Sequence, residues 1–325
     1  MKIKDIVYGE EEINEPVLIE LINSYPLQRL KEVSQFGMPE EYLHKKGFSR
    51  FEHSLGVLIL LRRLGADLEE QVAGLLHDVS HTAFSHLIDW VIGDYSKEDH
   101  QDKTLLKTIK ETEVKKILEK YGFDYRKIAD IKKYSLLEQE VPNLCADRVD
   151  YSLREIAISY KIEDSVNLFN SLQNINEKIV FNSIASSNLF AEYYTKMNRE
   201  HWTGEIYNAC WHVLAEILKK AIKENIISIP DFMKTEREIL NKLNKSGNEE
   251  ILAGLNLLKK GFISKKIENG SGIILKKKSR YIDPEIFHEG KIIPLSEISS
   301  DYRNILNKEK QNPVVEQKIE ILPIK

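Results

Sequence analysis

The chain has 325 residues, 42% hydrophobic and 30% charged, with 15 Gly and 9 Pro; this composition suits a globular protein with a sizeable core and excludes a disordered or fibrous chain. The formal net charge of -4 hides an asymmetry, because residues 251–325 hold 14 Lys/Arg against 9 Asp/Glu while the first 250 residues are acidic. With only Cys145 and Cys210, a disulfide framework and a thiolate zinc cluster are both excluded.

From Pro16 to about Ile226 the apolar spacing is helical nearly throughout. Pro26 opens a helix in PLQRLKEVSQFG, and Gly37 followed by Pro39 stops it. Phe51, Leu55, Leu58, Ile59 and Leu61 crowd one side of a helix over 50–64, and Leu68, Val72, Leu75 and Leu76 repeat along a second over 67–78. Further helices are predicted near 84–92, 104–120, 124–138, 142–159 and 163–175, with a long one over 187–225 in which Trp202 and Trp211 read as core. After residue 260 the texture changes. FISKKIENGSGIILKKKSRYI reads as two short strands around Asn269-Gly270, with KIIPL and VEQKIEIL as further strands. The expected fold is mainly α, with a helical catalytic domain over 1–225 followed by a helical extension and a small β-rich region over 226–325.

The adjacent pair His77-Asp78 in LLHDVSHTAFSH, with His53 upstream in FSRFEHSLGV, carries the chemistry. Imidazole and carboxylate together make the mixed nitrogen and oxygen set that a hydrolytic divalent metal needs. A fourth ligand must come from far along the chain, and Asp147 in NLCADRVDYSLRE is the best candidate, with Asp150 three residues on as a competitor. Any one of these histidines alone would more often be a hydrogen-bonded core residue. His81 lies one turn beyond His77 and can face the same pocket, and Arg50 lies one turn before His53, where a guanidinium can fork onto phosphate oxygens.

The stretches PLQRLKEVSQFG, FSRFEHSLGV, VAGLLHDVSHTAFSH and CADRVDYSLRE, in that order over about 16–165, resemble the HD-domain metal-dependent phosphohydrolases, and more narrowly those similar to the deoxynucleoside triphosphate triphosphohydrolases. The resemblance implies an α-helical bundle holding one divalent ion on His53, His77, Asp78 and Asp147, with Mn, Mg, Fe, Co, Ni and Zn not distinguished. It also implies phosphate contacts from His81 and His86, with His86 tied to proton transfer, and a pocket position for His100 that a surface loop matches equally well. Asp102 would orient an imidazole or solvate that loop. Tyr151 would pack against a nucleotide sugar, Gln35 would lie near base or sugar, and Arg148 and Arg154 flank the Asp147 helix as further substrate contacts.

The expected function is hydrolysis of a nucleotide, in its most specific form removal of triphosphate from a dNTP. The alternatives are a nucleotide phosphomonoesterase or cyclic-nucleotide phosphodiesterase, or a non-catalytic nucleotide- or nucleic-acid-binding module helped by the lysines at 259, 260, 265, 266 and 276–278. Nucleic acid ranks behind a solvated strand surface as the reason for those lysines. The aliphatic run 57–61 is too short to cross a bilayer and the N-terminus has no apolar signal core, so a cytoplasmic protein without a membrane partner is expected, and the family resemblance implies a homo-oligomer.

Overall fold

A central helix, Arg50–Arg63, is buried on every side along most of its length: Val57, Leu58, Ile59, Leu60 and Leu61 are fully inaccessible. Such a helix can lie only in the middle of a bundle. In the computed structural model, which describes residues 1–92, 99–268, 272–312 and 314–324, two further helices pack on it, Leu68–Leu76 and Ala146–Ser159. Ser49 starts the central helix with a reciprocal capping box to Glu52, and Asp67 caps the next by accepting from the Glu70 amide.

Two glycines set the spacing. A Cβ on Gly74 would lie 2.3 Å from Leu61 Cδ1, and one on Gly56 would lie 2.0 Å from both Asp150 Oδ1 and Arg154 Nη2. Both are closer than any real Cβ contact, so the helices approach as they do only because these positions carry hydrogen.

Outside this core, a second hydrophobic cluster joins Met38, Phe84 and Trp90 to Trp211, Leu214, Phe262, Leu275 and Ile319. The cluster therefore runs across residue 225, tying the C-terminal region to the pocket loops. A four-stranded sheet does the same, pairing Leu172–Ile175 and Lys178–Phe181 with Glu285–His288 and Lys291–Pro294.

Several predicted elements differ. The helix expected over 104–120 is two, His100–Glu111 and Glu113–Lys120, broken at Thr112, whose hydroxyl donates back to Thr108 O at 2.8 Å. Only Tyr125–Ile128 and a 3-10 turn, Ile131–Lys133, form within 124–138. There the buried Glu70 carboxylate accepts from the Leu136 and Leu137 amides at 2.8 and 3.0 Å, a long-range bond in place of helix continuation. The segment over 187–225 is split into Ile184–Met197 and Glu205–Lys223 by a wide π turn over Asn198–Trp202. Around residue 270, Phe262–Lys266 and Ile273–Lys278 do form strands, but they do not pair with each other: Val314–Pro323 lies between them, antiparallel to both. Asn269-Gly270 itself lies outside the described residues. An N-terminal hairpin, Lys2–Asp5 with Gly9–Glu12, was not anticipated. Among the described residues no helix is long and apolar enough to cross a membrane.

Candidate metal centre and active site

His53 projects from the central helix, His77 caps the end of Leu68–Leu76, Asp78 follows it, and Asp147 sits in the first turn of Ala146–Ser159. Three segments far apart in sequence thus bring four side chains together. His53 Nε2 is 2.9 Å from Asp147 Oδ1 and 3.2 Å from His77 Nε2, while His77 Nε2 is 3.6 Å from Asp147 Oδ1. Asp78 completes the group, with Oδ1 3.4 Å from His77 Nε2 and Oδ2 3.7 Å from His53 Nε2.

The other ring nitrogens decide what this cluster needs. His77 Nδ1 lies 2.7 Å from Gly74 O, which can only accept, and His53 Nδ1 lies 2.7 Å from Asp150 Oδ2. Both Nδ1 atoms therefore carry hydrogen, and both Nε2 lone pairs face one another and the carboxylates. Facing lone pairs repel, so a positive centre must lie between them, either protons or a metal ion. Burial opposes charge on His77, but Asp78 and Asp147 outweigh it and lift its pKa to about 9. The same contest leaves His53 raised, through its bonds to Asp147 and Asp150. This donor set, two neutral nitrogens and two carboxylates with ring orientation held from behind, fits a divalent ion. His53, His77 and Asp147 each offer an atom within 4.8 Å of the others.

Asp150 does not compete for the cluster. It is fully buried behind His53, where Oδ2 also accepts from Arg154 Nε at 2.8 Å and Oδ1 accepts from Tyr8 OH at 2.7 Å. Arg154 closes the network on Asp5 at 2.5 Å. Both ends of this guanidinium are engaged and it does not line the cavity, so the substrate contact expected of Arg154 is replaced by a buried ion pair that orients a histidine.

Beside the cluster opens a cavity of about 410 Å³, lined by Gln35, Arg50, His77, Asp78, His81, His86, Asp147, Arg148 and Tyr151 among others. Arg50 donates from Nη1 to Asp78 Oδ2 at 2.6 Å and from Nε to Ser85 Oγ at 2.7 Å, fixing the carboxylate and the turn before His86 together. His81 Nε2 lies 3.2 Å from Asp78 Oδ1, and burial together with the Arg50 charge pushes its pKa down to about 4, so the ring is neutral near pH 7. The His86 ring meets His81 edge-on at 4.9 Å. Arg148 donates to the Asn143 and Gln139 carbonyls, and the Tyr151 and Tyr194 hydroxyls are 3.1 Å apart. Among the described residues Gln35 Oε1 is buried with no hydrogen-bond partner, an acceptor left for a ligand. His100 is half-buried and outside the lining, which its neighbours Gln101 and Asp102 form instead.

Aromatic residues complete the lining, and Trp202 and Trp211 do so while also packing in the hydrophobic clusters, as the sequence reading of both as core expects. Trp202 and Trp211 face the cavity with Phe36, Tyr194 and Tyr207. Glu155, 1% exposed, accepts from Lys45 Nζ at 2.8 Å and Trp202 Nε1 at 2.9 Å and is hydrogen-bonded to His201. Burial works against its charge, and His201 and Lys45 hold it ionised. The sequence reading missed Glu155; its place two turns past Asp147 and one past Tyr151 on a single helix face was the available signal.

Comparison with known proteins agrees with this geometry. The HD domain family model matches residues 50–161, which contain all four clustered residues. A Bacillus subtilis protein, YdhJ, is 38% identical over 312 residues, 94% of each chain. The chain belongs to the HD-domain family. As an HD protein it is a metal-dependent phosphohydrolase, the description also carried by cns2 of Cordyceps militaris, which is 29% identical over 307 residues, 90% of this chain and 86% of that one. Likeness to the deoxynucleoside triphosphate triphosphohydrolase SAMHD1 of Bos taurus is 35% over 102 residues, 27% of this chain. The HD fold over the full length is shared with a phosphohydrolase from Bacteroides thetaiotaomicron, TM-score 0.74 at 18% identity with both chains covered completely.

Proposed function

We propose that this protein hydrolyses nucleotides, and in the narrow form releases tripolyphosphate from a deoxynucleoside triphosphate. The observation that carries the reading is one cavity with two kinds of lining: a nitrogen and carboxylate cluster with Arg50, His81, His86 and Arg148, and a set of aromatic side chains that joins it through Tyr151. The first suits a phosphate, the second a sugar and base.

His53, His77, Asp78 and Asp147 would hold a divalent ion, which would supply Lewis acidity and a nucleophile at neutral pH. Arg50 keeps Asp78 ionised and turned to the cluster while its remaining N–H groups meet phosphate oxygen. His81, neutral, donates or accepts without adding charge. His86, beside it, carries the proton to or from the reacting oxygen. Tyr151 packs on the sugar, and Gln35 Oε1 accepts from a sugar or base donor.

A second reading is nucleotide monoester cleavage: cns2, alike over 90% of this chain, is named as a metal-dependent phosphohydrolase with no substrate, while the triphosphohydrolase likeness is 24% identical over 74% of this chain for the Dictyostelium discoideum homologue and spans 27% of it for the Bos taurus protein. One assay separates them: purified protein with Mn, Mg, Co or Fe against nucleoside mono-, di- and triphosphates, with the released phosphate species identified. Free tripolyphosphate supports the narrow form, orthophosphate from monophosphates supports the second, and absence of turnover on every nucleotide removes both.

A further inference from the structure

Just before His86 the backbone takes an unfavourable path. Phe84 and Ser85 have φ of 65° and 50°, the left-handed region that a bulky side chain rarely adopts, and the two follow one another without a glycine. Such a turn persists only where its surroundings hold it, and strain of this kind gathers at functional sites. Here it delivers His86 into the cavity, edge-on to His81 at 4.9 Å.

What holds the turn comes largely from outside residues 50–161, the span of the HD match. Glu236, 5% exposed, is the first residue of the helix Glu236–Asn244. One oxygen of its side chain, Oε1, accepts from the Phe84 amide at 3.2 Å and from the Ser34 amide at 2.8 Å. Those amides belong to the two loops that bring His86 and Gln35 into the cavity lining. From the turn that precedes the same helix, Phe232 O accepts from the Ala83 amide at 2.7 Å. Ser85 Oγ donates to Ser34 O at 2.6 Å while accepting from Arg50 Nε at 2.7 Å, and Arg50 in turn reaches Asp78. The two loops touch directly, since a Cβ on Gly37 would lie 2.8 Å from Phe84 O.

A buried carboxyl group gives up its hydration, and two loop amides are what Glu236 receives in return. Its own helix has no need of it, because Thr235 and Glu238 already form the capping box there. We propose that Glu236 is a positioning residue for the hydrolysis: its carboxyl oxygen pins the turn over 84–85 against Ser34 and so sets where His86 meets the substrate. The inference rests on the reading of His86 as the proton carrier and is independent of which nucleotide is cleaved.

The test uses the full-length, manganese-loaded protein and its Glu236→Ala, Glu236→Asp, Glu236→Gln, Leu243→Ala and His86→Gln variants. kcat and KM are measured on a nucleotide that turns over, or on p-nitrophenyl phosphate, beside metal affinity by titration. Glu236→Ala leaves both amides without their acceptor, and kcat is expected to fall about ten- to a hundred-fold while KM and metal affinity change less than about three-fold. Glu236→Asp, one methylene shorter, should show the same split in milder form if the alanine protein does not fold. Glu236→Gln keeps an Oε1 that can accept both bonds, so its kcat should stay within about three-fold of wild type. Leu243→Ala, a buried deletion on the same helix, should lower Tm and leave kcat unchanged. A wild-type kcat in Glu236→Ala, beside a His86→Gln protein that has lost activity, would overturn the positioning role and leave the reading of His86 standing. Full activity in His86→Gln would remove the proton-carrier reading and this inference with it. Equal kcat losses in Glu236→Ala and Leu243→Ala mark a purely structural role and overturn the proposal. Crystals of metal-loaded Glu236→Ala carry the test without turnover: residues 84–86 should shift away from Ser34, and an unmoved turn overturns the proposal.

Discussion

Replacing Asp150 with Asn tests how the cluster is held from behind. Its carboxylate meets three donors, Tyr8 OH, His53 Nδ1 and Arg154 Nε, at 2.7, 2.7 and 2.8 Å, with no solvent exposure. The amide has one acceptor oxygen. Turned toward His53 and Arg154, it keeps both bonds but without the charge, and its NH2 then faces Tyr8, whose hydroxyl can rotate to accept. The bonds with His53 and Tyr8 become neutral ones, at a cost of about 1 kcal/mol each, while the bond from Arg154 stays assisted by the guanidinium charge. Arg154 keeps its pair with Asp5, so the site is not left with an uncompensated cation. The expected stability loss is therefore about 2 kcal/mol, well short of the ~3–5 kcal/mol that breaking a buried pair outright costs. The second effect is on the metal: a less polarised His53 is a poorer ligand, and affinity should fall about 10- to 100-fold, as for other groups behind metal-bound histidines. The assays are urea unfolding of chelator-treated protein and competitive titration of Mn or Zn. Unchanged metal affinity in a folded Asp150→Asn protein would refute the orienting role.

Gly56→Ala, whose Cβ would strike Asp150 and Arg154, should cost at least ~2 kcal/mol by overpacking and lower metal affinity with it; a melt and metal titration matching the wild type would contradict the close crossing. In metal-free protein His77, raised to about 9 from 6.5, binds its proton more tightly folded than unfolded; its contribution, on the order of 3 kcal/mol, is full below pH 6.5 and lost as pH rises through about 9. Metal binding displaces that proton, so melts of chelated and metal-loaded protein should diverge across this window, and parallel curves would count against the cluster. Burial pushes Glu236 up to about 7 against the Ser34 and Phe84 amides it accepts from, so wild-type stability includes a term present below pH 4.5 and lost as pH rises through about 7. Glu236→Gln should therefore melt higher relative to wild type at pH 8 than at pH 5, and an equal difference at both would show the carboxyl titrates normally.

Much of the HD core was legible because its signals are local: a Ser49-to-Glu52 capping box, apolar periodicity, and a histidine-aspartate doublet at a fixed distance from His53. Asp147 was the preferred ligand in the sequence, but Asp150 competed with it because residues three apart on a helix face the same neighbour. The fold separates them by giving each a different nitrogen of His53. What stayed hidden depends on partners far along the chain. Arg154 reads as a free cation until Asp5 is brought beside it, the helix over 124–138 reads well until Glu70 takes its amides, and Asn269-Gly270 reads as a hairpin until Val314–Pro323 comes between the strands. Trp202 and Trp211 pack in the core as expected, and their place in the cavity lining stayed hidden because an apolar ring facing a cavity has the same helical spacing as one facing a neighbour helix.

Anomalous diffraction from crystals grown with manganese, recorded for wild type and Asp147→Asn, bears on the metal centre most directly. The wild type should show a single strong peak bounded by His53 Nε2, His77 Nε2, Asp78 and Asp147, and the variant a peak greatly weakened or lost. A wild-type peak elsewhere, or one that survives intact without the Asp147 carboxylate, would contradict the assignment.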